Sequence, residues 1–335
     1  MGKYIGFSFL LIFLLFFLPF LWGEPAKSPP PDPPATDEPA AQPPPEPQVR
    51  LDAGSTLNVL AGGQLQAMDM ETYLLGVVRA EMPASFEPEA LKAQAVAART
   101  YALHKICGGG SSNHPEADAC DDISCCQAFR TREEAAQLWG ENAQAYEEKI
   151  RLAVTETDGE CILYEGQPVL AVFHSSSSGA TQDASAVWSS SVPYLQSVQT
   201  PESGETVPNY HTTAQFSAAE LKNRLQEALP EAKLDGRASN WFTNIRQQPN
   251  GTVTSLSVGG VAVSGTQLRG ILDLRSACFT ISFDGDAVLF SVTGYGHGVG
   301  MSQYGANVLA AGGMSYRDIL AWYYTGTAVG TYQRT

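Results

Sequence analysis

Hydrophobic and polar residues change rhythm twice near the start of the chain and then settle into two alternating periods. Residues 4–22 are almost unbroken apolar, rich in Leu and Phe, with Lys3 just ahead of them. From 24 to 49 large apolar residues nearly vanish and Pro, Ala, Glu, Asp and Gln take over. Beyond residue 50, stretches with a period near 3.6 predict helices over 70–81, 87–105, 133–140, 218–228 and 316–323. Short alternating runs bounded by Gly, Asn and Asp predict strands over 49–52, 57–60, 160–164, 169–173, 253–258, 279–283 and 288–292. Helices mix with strands in the first half of this region and strands dominate the second. The class is α+β, with helical segments packed on a largely antiparallel β portion. No tandem repeat is visible, and 216–242 reads as a small helical insertion.

The apolar run at 4–22 is long enough to cross a bilayer, which takes about 20 residues. Leu21-Trp22-Gly23-Glu24 makes a poor small-residue cleavage site. The reading is therefore a retained anchor over 1–23, with Lys3 inside and the remainder exported. A cleaved signal peptide is the alternative, and it exports the chain equally. The proline-rich 24–49 stretch cannot bury a core and reads as an extended, disordered stalk of about 3.1 Å per residue. The folded region is then 50–335.

Charge narrows the partner classes. The 335 residues carry a formal net charge of −15. Binding driven by phosphate contacts, and with it nucleic acid, is disfavoured, and a neutral or zwitterionic polymer suits the chain better. Six cysteines are too few and too uneven for a disulfide-stapled scaffold, but Cys120, Cys125 and Cys126 fall within seven residues.

Chemistry concentrates in 69–83. Asp69 is placed to cap a helix and Pro83 to stop it. The apolar stripe runs Met70, Leu74, Val77, Val78 and then Glu81. A carboxylate on the core-facing stripe is costly unless paired or protonated, and the negative end of the helix dipole adds to the penalty. Both effects raise the carboxyl pKa, as a general acid near neutral pH requires. A salt bridge to Arg79 or Lys92 at the helix end is the competing reading. In the following helix Pro88 opens an alanine-rich run, with Leu91, Ala95, Ala98 and Ala102 forming a small-residue stripe for close helix approach. Lys92, Val96 and Arg99 share another face, so both cations can address one site or form a solvated face.

Glu71-Thr-Tyr-Leu-Leu-Gly-Val-Val-Arg-Ala-Glu-Met-Pro83 followed by Glu89-Ala-Leu-Lys-Ala-Gln-Ala-Val-Ala-Ala-Arg-Thr-Tyr101 resembles the signature of the stage II sporulation protein D family. The resemblance extends through Phe173-His174-Ser175-Ser176-Ser177-Ser178-Gly179, Pro193-Tyr194-Leu195 and Gly296–Ala306, and so over nearly all of 50–330. It implies a peptidoglycan lytic transglycosylase in septal thinning and engulfment during sporulation. The enzyme would be anchored in the mother-cell membrane, facing the forespore septum, and would work with an amidase and membrane proteins of the engulfment machinery. It assigns catalysis to Glu81, with Arg99 and Tyr194 as site partners. Arg99, aided by Lys92, is expected to read the lactyl carboxylate of peptide-stripped muramic acid.

The late glycine-rich segment lacks the features of a phosphate loop. It reads instead as tight turns presenting His297, Gln303 and Tyr304 to a sugar, or as glycines in a buried corner. His174, Ser175 and the serines after them read as groove-lining groups, since no nucleophile-elbow context surrounds them. His114, Cys120 and Cys126 stand with five residues between each pair, and the resemblance implies zinc on such a set, structural or site-shaping, with Cys125 or Cys107 as a fourth donor. A disulfide within the cluster is the alternative that export favours. Two other functions stay open, a non-catalytic wall-binding module that stimulates an amidase and a zinc hydrolase built around His114.

Overall fold

The computed structural model describes residues 50–111, 113–188 and 190–332. The expected anchor at 1–23 and stalk at 24–49 lie outside the described residues. Among the described residues no helix is long and apolar enough to cross a membrane.

Thr56–Ala61 (β1) and Gln64–Asp69 (β2) pair as an antiparallel hairpin across Gly62 and Gly63. Both glycines have positive φ (58° and 74°), as a two-residue turn of this hand requires. Asp69 then caps Met70–Glu81 (α1), its carboxylate accepting from the Thr72 N–H at 2.6 Å. Pro88 opens Pro88–Cys107 (α2). The chain continues through Ala119–Cys120 (β3), which pairs parallel to β1, then Arg132–Trp139 (α3), Ala143–Thr155 (α4), Glu160–Tyr164 (β4), Gln167–Pro168 (β5), Phe173–His174 (β6) and Ala184–Trp188 (α5).

The long helix α2 is the axle of this part. It is contacted by α1, by α4, by β4 and by two helices near the end of the chain. Ala90, Ala93, Ala95, Ala97 and Ala98 are fully buried, because only a methyl group lets neighbours approach from every side. An all-round buried helix must also hide its polar residues. Arg99 is 1% exposed and is sealed by a forked pair of bonds to Asp52, with Nη2 2.6 Å and Nε 2.9 Å from its oxygens. Its remaining N–H groups reach the carbonyls of Glu160 and Val154.

A second core is inserted in the chain between β6 and the segments that complete the first. It comprises His211–Ser217 (β7), Ala218–Ala228 (α6), Phe242–Gln247 (β8), Val253–Val258 (β9), Val261–Val263 (β10), Gly265–Leu272 (α7), Phe279–Asp284 (β11) and Ala287–Thr293 (β12). Two three-stranded antiparallel sheets, ordered β11-β12-β7 and β10-β9-β8, enclose it. Phe290 meets Phe216, Phe242 and Phe279 edge-on, at ring separations of 5.7 to 5.9 Å. The 216–242 stretch, expected as a helical insertion, contributes one helix and part of the strand set to this larger mixed lobe.

The chain then returns to the first core as Met301–Ser302 (β13), Gln303–Ala311 (α8), Tyr316–Tyr323 (α9) and Ala328–Thr331 (β14), the last pairing with β4. Strand β13 runs parallel to β6, and bridges join Ser176 to Tyr295 and Gln182 to Val299. Glycine makes this seam possible. A Cβ on Gly300 would lie 2.1 Å from the Val172 carbonyl oxygen, and one on Gly296 would lie 2.6 Å from His174 Cβ. These glycines serve close backbone approach more than the presentation of side chains.

The Asp52–Arg99 pair clamps the start of the folded region to α2. Removing one partner strands a buried charge, so Asp52→Ala should cost about 3–5 kcal/mol in urea unfolding. The double variant Asp52→Ala/Arg99→Met should recover most of that loss, and an unchanged midpoint in the single variant would contradict the pair's role.

Candidate active site

A groove of about 970 Å³ runs between the two cores, past the C-terminal end of α1. Glu81 lies at that end, partly buried, and among the described residues is the only carboxylate side chain lining the groove. Its Oε1 accepts from the Ala128 N–H at 2.6 Å. Its main-chain carbonyl accepts from Gln303 Nε2 at 2.9 Å, and the same amide reaches Gln94 Oε1 of α2 at 3.3 Å. Burial pushes the Glu81 carboxyl above its usual value, and the bond from Ala128 opposes this to a lesser degree.

The two cations expected to pair with Glu81 are engaged elsewhere. Arg79 makes a forked pair with Glu147, at 2.9 and 2.6 Å. Lys92 sits between Glu89 and Glu156, each at 2.8 Å. Among the described residues Glu81 has no ion-pair partner, so the reading of it as half of a helix-end salt bridge does not hold.

The other expected site residues divide. His174, Ser175, His297, Gln303 and Tyr304 do line the groove with Glu81. Arg99 does not, because its guanidinium is enclosed by Asp52 and two carbonyls. Lys92 does not, because two carboxylates of the first lobe hold it. Tyr194 does not line the groove either. Its hydroxyl accepts from the Leu170 N–H at 3.0 Å and its ring packs on Tyr164. The proposed carboxylate reader on α2 is therefore corrected, since that face of the helix is core.

Several groove residues turn out to be builders. The Gln303 amide is spent on Glu81 and Gln94. His174 Nδ1 bonds the Val299 carbonyl at 3.1 Å, so it carries the proton, and Nε2 accepts from Ser177 Oγ at 2.6 Å. In His297, Nε2 donates to the Phe173 carbonyl and Nδ1 accepts from the Val299 N–H. Burial, first among the causes, pushes His174 down to about 3 and His297 down to about 4. Both rings are neutral walls at pH 7, with no nitrogen left for proton transfer. Trp188 sets its ring 5.4 Å from His297 at a tilt of 46°, and Trp139 and Tyr295 add further apolar faces. Sequence reading missed these aromatics and the groove arginines Arg130, Arg269 and Arg275. The last two come from the inserted lobe, where no catalytic pattern marks them.

Beside the groove, Cys120, Cys125 and Cys126 bring their sulfurs within 4.8 Å of one another. Cys126 Sγ is 3.7 Å from Cys125 Sγ, a hydrogen-bonding and not a covalent separation. That spacing matches two sulfurs on one tetrahedral ion with bonds of about 2.3 Å, so the donor set fits zinc. His114 is not in this group. Its Nδ1 faces Glu116 at 3.9 Å, while Cys125, expected as a fourth donor, is in the group.

Because the fold favours the protonated Glu81, the stability this gives is present below the ordinary pKa of 4.5 and is lost as pH rises through the raised folded value. Gln mimics the protonated acid and keeps the acceptor for Ala128. At pH 7 Glu81→Gln should therefore melt at a higher temperature than the parent. The gap should close on acidification to about pH 4. A gap that widens as pH falls would contradict a desolvated Glu81.

The family model described as "Stage II sporulation protein" matches residues 62–164. The chain is 36% identical over 269 residues to stage II sporulation protein D of Bacillus subtilis (strain 168), covering 80% of this chain and 76% of the relative. The counterpart in Bacillus amyloliquefaciens is also 36% identical, covering 79% and 75%. An amidase enhancer of Bacillus subtilis (strain 168) is 29% identical over 77% of this chain and 40% of its own length. With the motifs at 71–83 and 89–101 lying on the two helices that build the Glu81 end of the groove, the chain belongs to the stage II sporulation protein D family.

Proposed function

We propose that this protein is a lytic transglycosylase that cuts the bond between N-acetylmuramic acid and N-acetylglucosamine in peptide-stripped glycan strands. The observation that carries the reading is a single carboxyl group in the groove, raised by burial and without a cation partner. Hydrolytic glycosidases set two carboxyl groups across the scissile bond, about 5–9.5 Å apart, one of them to activate water or attack the sugar. Among the described residues no second carboxylate lines this groove. One carboxyl suffices if the nucleophile belongs to the substrate.

Protonated Glu81 gives its proton to the glycosidic oxygen as the C1–O bond breaks, releasing the N-acetylglucosamine hydroxyl. The C6 hydroxyl of the same muramic residue closes on C1, and its proton returns to the Glu81 carboxylate. The product carries a 1,6-anhydro end, no water is consumed, and the acid is restored. Neutral His174 and His297 shape the sugar site without competing for the proton, and the aromatic faces of Trp188 and Tyr295 suit pyranose rings.

The thiol cluster of Cys120, Cys125 and Cys126 would hold zinc. The ion would tie the loop that carries Ala128, the donor to Glu81, and supply no step of the reaction. Membership of the sporulation family supports a role in thinning septal wall during engulfment, from an N-terminal membrane anchor on the mother-cell side and together with an amidase. A second reading is favoured by the likeness to an amidase enhancer: a wall-binding module whose groove holds glycan without cutting it.

Mass spectrometry of peptide-free glycan treated with the protein should find 1,6-anhydromuramic ends, and Glu81→Gln should remove them while binding persists. Glycan bound and left intact by the parent chain would favour the binding module. Reducing ends insensitive to Glu81→Gln and abolished by a chelator would favour a zinc hydrolase. For the metal, elemental analysis should find about one zinc per chain, lost in Cys120→Ser together with thermal stability. Protein purified without chelator and free of zinc would refute the site.

A further inference from the structure

Carboxylates outnumber cations in this chain by 35 to 20, so an arginine has every opportunity to find an acid. Most do. Arg50, Arg79, Arg99, Arg132, Arg151, Arg224 and Arg317 each lie within ion-pair distance of Asp or Glu. Among the described residues the exposed Arg237 and Arg246 do not, nor does Arg130, which donates to the Arg79 carbonyl on the first-lobe side of the groove, nor do the two arginines on the inserted-lobe wall. Arg269 and Arg275 line the groove, and among the described residues neither has a carboxylate partner.

Their placement is built in. Arg269 sits in the last turn of α7, and Asp273 caps that helix in the left-handed conformation with φ 54°. The Leu274 N–H returns to the Arg269 carbonyl at 3.0 Å, so the chain doubles back and sets Arg275 on the same side as Arg269. The Arg269 Nε–H donates to the Leu274 carbonyl at 3.2 Å. Asp273, the nearest acid in sequence, instead lies 3.5 Å from Arg224. Arg275 is stacked 4.1 Å above the Tyr295 ring, which fixes the plane of its guanidinium. Its Nε is buried and has no hydrogen-bond partner. Burial pushes the Arg269 pKa down, as expected of a cation that has surrendered water without gaining an acid. Two positioned, partly desolvated forks facing a groove whose sole carboxyl among the described residues belongs to the opposite lobe are complementary to an anion carried by the ligand.

We infer that Arg269 and Arg275 form a carboxylate-reading subsite, which grips the acidic substituent of a sugar in the glycan strand while an adjoining linkage meets Glu81. The identity of the strand rests on the proposed function. The subsite takes over the recognition that Arg99 and Lys92 are too committed to perform.

The test measures binding by the full chain carrying Glu81→Gln, so that no turnover intervenes. One probe is peptide-free glycan with its carboxylates intact, and the other is the same glycan with those groups reduced to alcohols. Arg275→Gln and Arg269→Gln should each weaken binding of the acidic strand about tenfold and of the reduced strand by under about twofold. Arg275→Lys should fall between, keeping the charge and losing the fork. Equal losses on both probes, or none on either, overturn the subsite, with melting temperature checking that each variant is folded. The two proposals separate cleanly. Selective binding without anhydro products from the Glu81 chain leaves the subsite and removes the enzyme. Equally fast cutting of acidic and reduced strands leaves the enzyme and removes the subsite.

Discussion

The end of the first helix is held at one residue from two directions, and the groove is arranged around that hold. Ala128 fixes the Glu81 carboxyl, Gln303 fixes its carbonyl, and Gln94 ties Gln303 back to the central helix. Three distant parts of the sequence thus meet at the last residue of α1. Their joint effect is to keep a carboxyl half out of water without giving it a cation. An arginine brought within about 4–6 Å would pull its pKa down by 1–3 units and erase the acid. Arg79, two residues away, is the obvious threat, and Glu147 removes it. The ion pairs around Glu81 matter because they keep their charges away from it.

The same logic explains why α1 is legible in the sequence and the surroundings of α2 are not. In α1 one stripe is apolar, so a carboxylate on that stripe stands out, and Glu81 does end against the groove. In α2 no face is consistently apolar or polar because every face is covered. Periodicity correctly puts Lys92 and Arg99 on one side but says nothing of what opposes them. Asp52 lies 47 residues before Arg99, and no local pattern links the two. A buried arginine satisfied by a distant aspartate looks, in sequence, like an arginine waiting for a ligand. Tyr194 misleads in the same way, its hydroxyl being used by the Leu170 backbone.

The inserted lobe was the least legible part of the fold. Strand β8 is exposed at every position after its first, and β7 alternates mostly between exposed and half-buried polar residues, so neither shows an apolar stripe, whereas the helix at Ala218–Ala228 beside them does. What holds the lobe is non-local, with Phe290 meeting phenylalanines up to 74 residues earlier in the chain. The glycine-rich segment is visibly special in sequence, yet its purpose is set by backbone that is distant along the chain. Gly300 and Gly296 are small because another backbone passes where their side chains would be. The two histidines flanking that seam spend their nitrogens holding it together, so residue types that suggest proton transfer act here as masonry.

A division of labour follows from the topology. The acid, the thiol cluster and the helices that position them fall within residues 62–164, the span matched by the family model. Arg269, Arg275 and Tyr295 lie outside it, on or beside a lobe with its own core. Because each core closes on its own residues, side chains on the second wall can change without disturbing the burial that tunes Glu81. A groove built this way lets ligand preference drift while the acid end stays constant.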